Sequence, residues 1–127
     1  MVKRCYTRFN HLSNGKIVKI DTQGNTSDFA TGLGRIYGMT WGGGTGYGNY
    51  LYATKTDVYP DIVYKIDLNG SISTFTKMYS PAHKPARLTI DVTGNYGNMM
   101  YVGTAAQDKI YSINTSGSVS LFSSWPG

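Results

Sequence analysis

The stretch Ile62–Phe75, IVYKIDLNGSISTF, decides how this chain is read. Ile62–Ile66 is a short apolar run with a polar Lys65 near its end; Asp67 and Gly70 bracket a four-residue joint, and a β-branched, polar run leads to Phe75. This is hairpin chemistry: Asp or Asn opens the turn, and Gly takes the positive-φ position from which the chain returns. The pattern recurs on both sides. Ile17–Phe29 reads IVKIDTQGNTSDF, and Ile110–Phe122 reads IYSINTSGSVSLF.

The copies are in register. Ile20-Asp21, Ile66-Asp67 and Ile113-Asn114 match at spacings of 46 and 47, as do Gly24, Gly70 and Gly117, and Phe29, Phe75 and Phe122. A second block repeats between them: GYGNYLYATK from Gly46 echoes NYGNMMYVGT from Asn95, and each follows a short apolar run, YGMTW from Tyr37 and RLTIDV from Arg87. Each period therefore holds four strand-like pieces, in the fullest copy RLTIDV, NMMYVGT, KIYSIN and SVSLFS, separated by Gly-rich turns. In the third piece Ile20, Ile66 and Ile113 form an apolar column and Lys19, Lys65 and Ser112 a polar one. Ile17, Val63 and Ile110 are apolar again, so apolar positions fall on both faces, as in a sheet packed on either side. One Asp per turn falls far short of the oxygen cage that Ca²⁺ requires, so these joints are read as turns.

Composition agrees. Sixteen Gly and eleven Tyr stand beside a complete absence of Glu, all seven acids being Asp, and no window has helical periodicity. The net charge of +5 comes from scattered Lys and Arg, clustered only at Lys3-Arg4 and Arg8, which does not read as a nucleic-acid footprint. Cys5 stands alone, excluding an intrachain disulfide or a multi-cysteine metal site. No stretch approaches membrane-spanning length. MVKRCYTRFN has no apolar run of a signal peptide, so the chain reads as cytoplasmic as written, and as exported if it is a piece of a longer product.

Four antiparallel strands per period of about 40 to 50 residues is the pattern of a β-propeller blade. The stretch PARLTIDVTGNYGNMMYVGTAAQDKIYSINTSGSVSLF resembles NHL-type propeller repeats and the related gluconolactonase-like six-bladed propellers, with Pro85, Asp91, Gly94, Asn95, Tyr101, Ile110 and Gly117 on the pattern. The resemblance implies an all-β propeller segment. The earlier copy departs from it, with Gly42 where the later copy has Asp91.

Residues 1–34 read as an incomplete first blade lacking its inner strand, 35–80 as a second and 81–127 as a third, together a single partial propeller domain of two and three-quarter blades. Tyr6 aligns with Tyr52 and Tyr101, and Cys5 with Leu51 and Met100 as a buried strand residue. Because closed propellers need about four to eight blades, two accounts are open: completion by self-association, the favoured one, as a homodimer forming a six-bladed ring or a trimer forming a larger one, or a chain that is a fragment of a longer product.

Propeller sites sit where inner strands and their loops meet the channel mouth. The candidate ligand-binding residues are Arg35, Tyr37, Trp41, Tyr47, Arg87, Asp91 and Tyr96. Three functions follow. The first is non-enzymatic binding or scaffolding of a protein or ligand, with no cofactor and no metal. The second is metal-dependent hydrolysis or lysis, implied by the gluconolactonase-like resemblance; that family's Glu has no counterpart here, and only Asp91 and Asn95 match loosely. The third is sugar binding by exposed aromatics. His11 and His83 lie in loops with no metal-spaced partner, and no Ser has a nucleophile-elbow context.

Overall fold

A computed structural model describes residues 4–8, 15–56, 59–79, 84–105 and 107–124, the first of these segments by its backbone. His11, His83 and Trp125 lie outside the described residues, as does the side chain of Cys5. The described chain is all-β, with no helix. Its strands are β1 (Arg4–Arg8), β2 (Lys16–Ile20), β3 (Thr26–Ala30), β4 (Ile36–Trp41), β5 (Leu51–Lys55), β6 (Asp61–Ile66), β7 (Ile72–Met78), β8 (Pro85–Ile90), β9 (Met100–Thr104), β10 (Lys109–Ile113) and β11 (Val119–Ser124). They form three antiparallel meanders, a three-stranded sheet β1-β2-β3 and the four-stranded sheets β4-β5-β6-β7 and β8-β9-β10-β11.

The repeated joints are the β2–β3, β6–β7 and β10–β11 turns, and they are built identically. The side-chain oxygen of Asp21 accepts from the N–H groups of Gln23 and Asn25 (2.9 and 2.8 Å). Asp67 does the same with Asn69 and Ser71, and Asn114 with Ser116 and Ser118. Gly24, Gly70 and Gly117 close the turns at φ of 89°, 84° and 84°, a region a Cβ disfavours. A carboxylate or amide oxygen that accepts two loop amides acts as a local cap on the turn.

Each hairpin then bulges at its repeated Phe. Ile17 pairs with Ala30 and Val18 with Asp28, so Phe29 is skipped; Phe75 is skipped between Thr76 and Thr74, and Phe122 between Ser123 and Leu121. A bulge bends the outer strand and re-aims one side chain.

Two apolar junctions hold the sheets together. Ile17, Ala30, Leu33, Ile36, Leu51, Ala53 and Ile66 fill the first, between the first and second sheets. Tyr47, Tyr52, Val63, Met78, Leu88, Met100, Val102 and Ile113 are the main constituents of the second, between the second and third sheets. The two apolar faces read in β6 are thus real: Ile66 serves one junction and Val63 the other. Strands β4 and β8, the first of each four-stranded sheet, run side by side and form the inner edge.

The first strand requires a correction. Arg4 lies opposite Ile20 and Cys5 opposite Lys19, whereas Leu51 lies opposite Ile66, Tyr52 opposite Lys65 and Tyr101 opposite Ser112. Cys5, not Tyr6, therefore takes the place of Tyr52 and Tyr101, and Arg4 that of Leu51 and Met100. RCYTR has no apolar column strong enough to specify register from sequence, and a slip of one residue exchanges the faces.

Candidate functional site

The inner edge is held by Thr54, on β5, whose side chain is fully buried. Its hydroxyl accepts from the Gly38 N–H (2.9 Å) and donates to the Ala86 carbonyl (3.1 Å), tying β5 to β4 and to β8 of the next sheet. Gly38 permits the approach: a Cβ there would overlap the Ala86 carbonyl and lie 3.0 Å from the Arg87 Cα. The entry to β8 is held from the second sheet as well. Asp61, buried at the start of β6, accepts from the Lys84 N–H at 3.0 Å. Neither Thr54 nor Asp61 is distinguished by any motif, because each acts across a junction that sequence order does not show.

This stitching sets three of the candidate residues on neighbouring strands. Arg35 immediately precedes β4, Tyr37 lies on it, and Arg87 lies on β8 beside Gly38. The Arg35 guanidinium donates to the Tyr37 hydroxyl at 3.3 Å. All three side chains are exposed. Arg is a planar, permanently charged donor fork, and a phenol both donates and accepts, so these side-chain types are suited to anionic ligands.

The other four candidates are elsewhere. Trp41 is exposed at the opposite end of β4, its indole against Gly43. Tyr47, expected in an exposed loop, is buried. Its hydroxyl donates to the Ile113 carbonyl (2.5 Å) and accepts from the Met100 N–H (2.7 Å), both in the third sheet. Burial pushes its pKa up. Tyr47 is therefore a junction residue, because the neighbouring sheet closes over the turn that carries it.

Asp91 is likewise a turn residue. One carboxylate oxygen accepts from the Thr93 hydroxyl and N–H (2.6 and 2.9 Å), the other from the Tyr96 and Asn98 N–H groups (2.8 and 3.1 Å). These bonds, the Thr93 hydroxyl foremost, hold the carboxyl down to about 2 against the opposing effect of desolvation. They explain why this turn carries Asp, and they occupy the oxygens a metal would need. Asn95 donates its N–H to the Thr93 hydroxyl within the same turn. Tyr96 is exposed on the free face of the third sheet. Among the described residues no group of three or more His, Cys, Asp or Glu side chains is placed to hold a metal ion.

The chain is similar in structure to streptogramin B lyase, with a TM-score of 0.62 and 17% sequence identity over 91% of this chain and 39% of that one. It thus spans about two-fifths of the length of that structure. No family model and no curated protein matches the sequence. The likeness, with the three radial meanders, makes this a β-propeller fold built of four-stranded antiparallel blades.

Proposed function

We propose that this chain is a non-enzymatic binding module of a β-propeller, and that Arg35, Tyr37 and Arg87 contact an anionic ligand such as the acidic segment of a protein partner. The observation that supports the reading is that these exposed side chains, with Arg35 bonded to Tyr37, are borne on or beside two adjacent inner strands, β4 and β8, whose backbones are tied together through Thr54. A backbone fixed in advance beneath charged side chains favours recognition, since little backbone entropy is lost on binding. The carboxylate that a hydrolase or lyase reading would use, Asp91, is committed to its own turn. The lyase activity of the similar structure belongs to that protein.

The test is a titration of isotope-labelled protein with poly-L-glutamate and, separately, with a neutral glucan oligosaccharide. Shifts at Arg35, Tyr37 and Arg87 with the polyanion alone, weakening as salt rises and lost in the Arg35→Gln/Arg87→Gln double variant, are expected. Shifts with the oligosaccharide instead would move the reading to sugar binding. Polyanion shifts unaffected by the double variant would sink it.

A further inference from the structure

The third sheet ends in a face that has the shape of a junction without a partner. Within the chain, the second sheet presents Tyr47, Tyr52 and Phe75 to the third. The Tyr52 hydroxyl donates to the Tyr47 carbonyl (2.6 Å), Tyr52 and Phe75 meet edge to face with centroids 4.9 Å apart, and the Phe75 carbonyl sits against Gly117, where a Cβ would lie 2.7 Å from it. The first junction shares the last feature: a Cβ at Gly70 would overlap the Phe29 carbonyl.

The free face of the third sheet repeats these parts residue for residue. Tyr96 stands at the place of Tyr47, Tyr101 at that of Tyr52, and Phe122 at that of Phe75. The Tyr101 hydroxyl donates to the Tyr96 carbonyl, and Tyr101 and Phe122 meet edge to face at 4.8 Å. The difference is cover. Tyr47 is 4% exposed, but Tyr96 is 63%, Leu121 55% and Phe122 52% exposed.

The receiving half lies at the other end of the molecule. Gly70 and Gly117 are each pressed by a Phe carbonyl, whereas a Cβ at Gly24 would have nothing within 4 Å. Ile20 lies opposite Arg4 as Ile113 lies opposite Met100, so its carbonyl corresponds to the one that accepts the Tyr47 hydroxyl.

We infer that the third sheet of one copy docks on the first sheet of a second copy, head to tail, with the Phe122 carbonyl against Gly24 and the Tyr96 hydroxyl on the Ile20 carbonyl. The occupant is a second copy because one molecule displays both halves of an interface already formed within the chain, exposed Tyr96 and Phe122 at one end and the open space over Gly24 at the other. Such a contact is heterologous, and it closes when each copy uses both of its ends. It covers apolar side chains that a monomer leaves in water.

The test is absolute mass by sedimentation across a dilution series, on the full chain and two variants. Phe122→Asp places a charge in the donor half at an exposed position. Gly24→Asn blocks the receiving half with a residue that tolerates positive φ. A closed oligomer is expected for the unaltered chain, monomers for each variant alone with unchanged circular dichroism, and one-to-one pairs when the two variants are mixed, since one intact junction remains. Tyr96→Phe should raise the dissociation constant about tenfold for each junction in the closed oligomer, the scale of one lost hydrogen bond apiece. A monomeric unaltered chain overturns the inference. So do variants that still associate alone, or a mixture that does not pair.

Discussion

At the scale of the residue, Tyr47 shows how a position changes meaning once its neighbours are known. From sequence it stands in GYGNY, a polar Gly-rich turn, and nothing there says that the turn will be roofed. In the fold its hydroxyl bridges a buried N–H and a carbonyl of the next sheet. Tyr47→Phe would leave the Met100 N–H without that acceptor, at an expected cost of about 1–3 kcal/mol in urea unfolding. Tyr96→Phe, at the exposed equivalent position, should cost nothing measurable in dilute solution. Tyr52 permits a test by pH. Burial, reinforced by Tyr50 and Tyr47, pushes its pKa up to about 12, above the value of about 10 expected in the unfolded chain. The folded state thus holds the proton more tightly. This contribution is complete below about pH 10 and is lost as pH rises toward 12. Alkaline unfolding should steepen across that window, and Tyr52→Phe should flatten it; an unchanged slope would show that Tyr52 does not control it.

At the scale of the element, the hairpins were legible and their bulges were not. The joints DTQG, DLNG and NTSG announce turns because Asp, Asn and Gly have local chemistry that needs no tertiary partner, and the structure forms all three. The repeated Phe reads equally well as an ordinary strand residue. Its carbonyl faces the next sheet's glycine only because the bulge turns it, a relation between residues 41 or 42 positions apart, as in Phe29 with Gly70 and Phe75 with Gly117. The candidate site divides in the same way. That Tyr37 and Arg87 lie on β4 and β8, with Arg35 just before β4, was accessible to sequence because strand order implies which pieces lie innermost. The turn-capping role of Asp91 was not legible because three of its four donors are backbone amides, which leave no trace in a sequence, and the fourth, the Thr93 hydroxyl, belongs to no motif read in the sequence. The register of β1 was missed because RCYTR lacks the apolar column that orders the other strands. The Phe–Gly contact gives a paired prediction. Gly24→Ala should cost about 1–2 kcal/mol in dilute solution, from backbone strain alone. Gly70→Ala adds a steric clash with the Phe29 carbonyl and should cost roughly 1–3 kcal/mol more. Equal losses in denaturant unfolding would mean that the first junction yields without resistance.

At the scale of the molecule, stability should follow the order of the sheets rather than their strand content. In a structure built of repeats, each unit is held mainly by its nearest neighbours. The second sheet is packed on both faces, by Leu51, Ala53 and Ile66 on one side and Tyr52, Val63 and Met78 on the other. The first sheet has one junction and three strands, and the third has one junction and four. Opening the first sheet breaks only the contacts of Ile17, Ala30 and their partners, whereas opening the second breaks both junctions at once. Native-state hydrogen exchange on dilute protein should therefore rank the amides β6 above β10 above β2, with β2 exchanging through an opening well below the global unfolding free energy. At concentrations where copies associate, protection of β2 and β10 should rise toward that of β6, because their free faces acquire a neighbour. If β2 is as protected as β6 in the dilute monomer, the chain unfolds as a single cooperative unit and the nearest-neighbour picture fails for it.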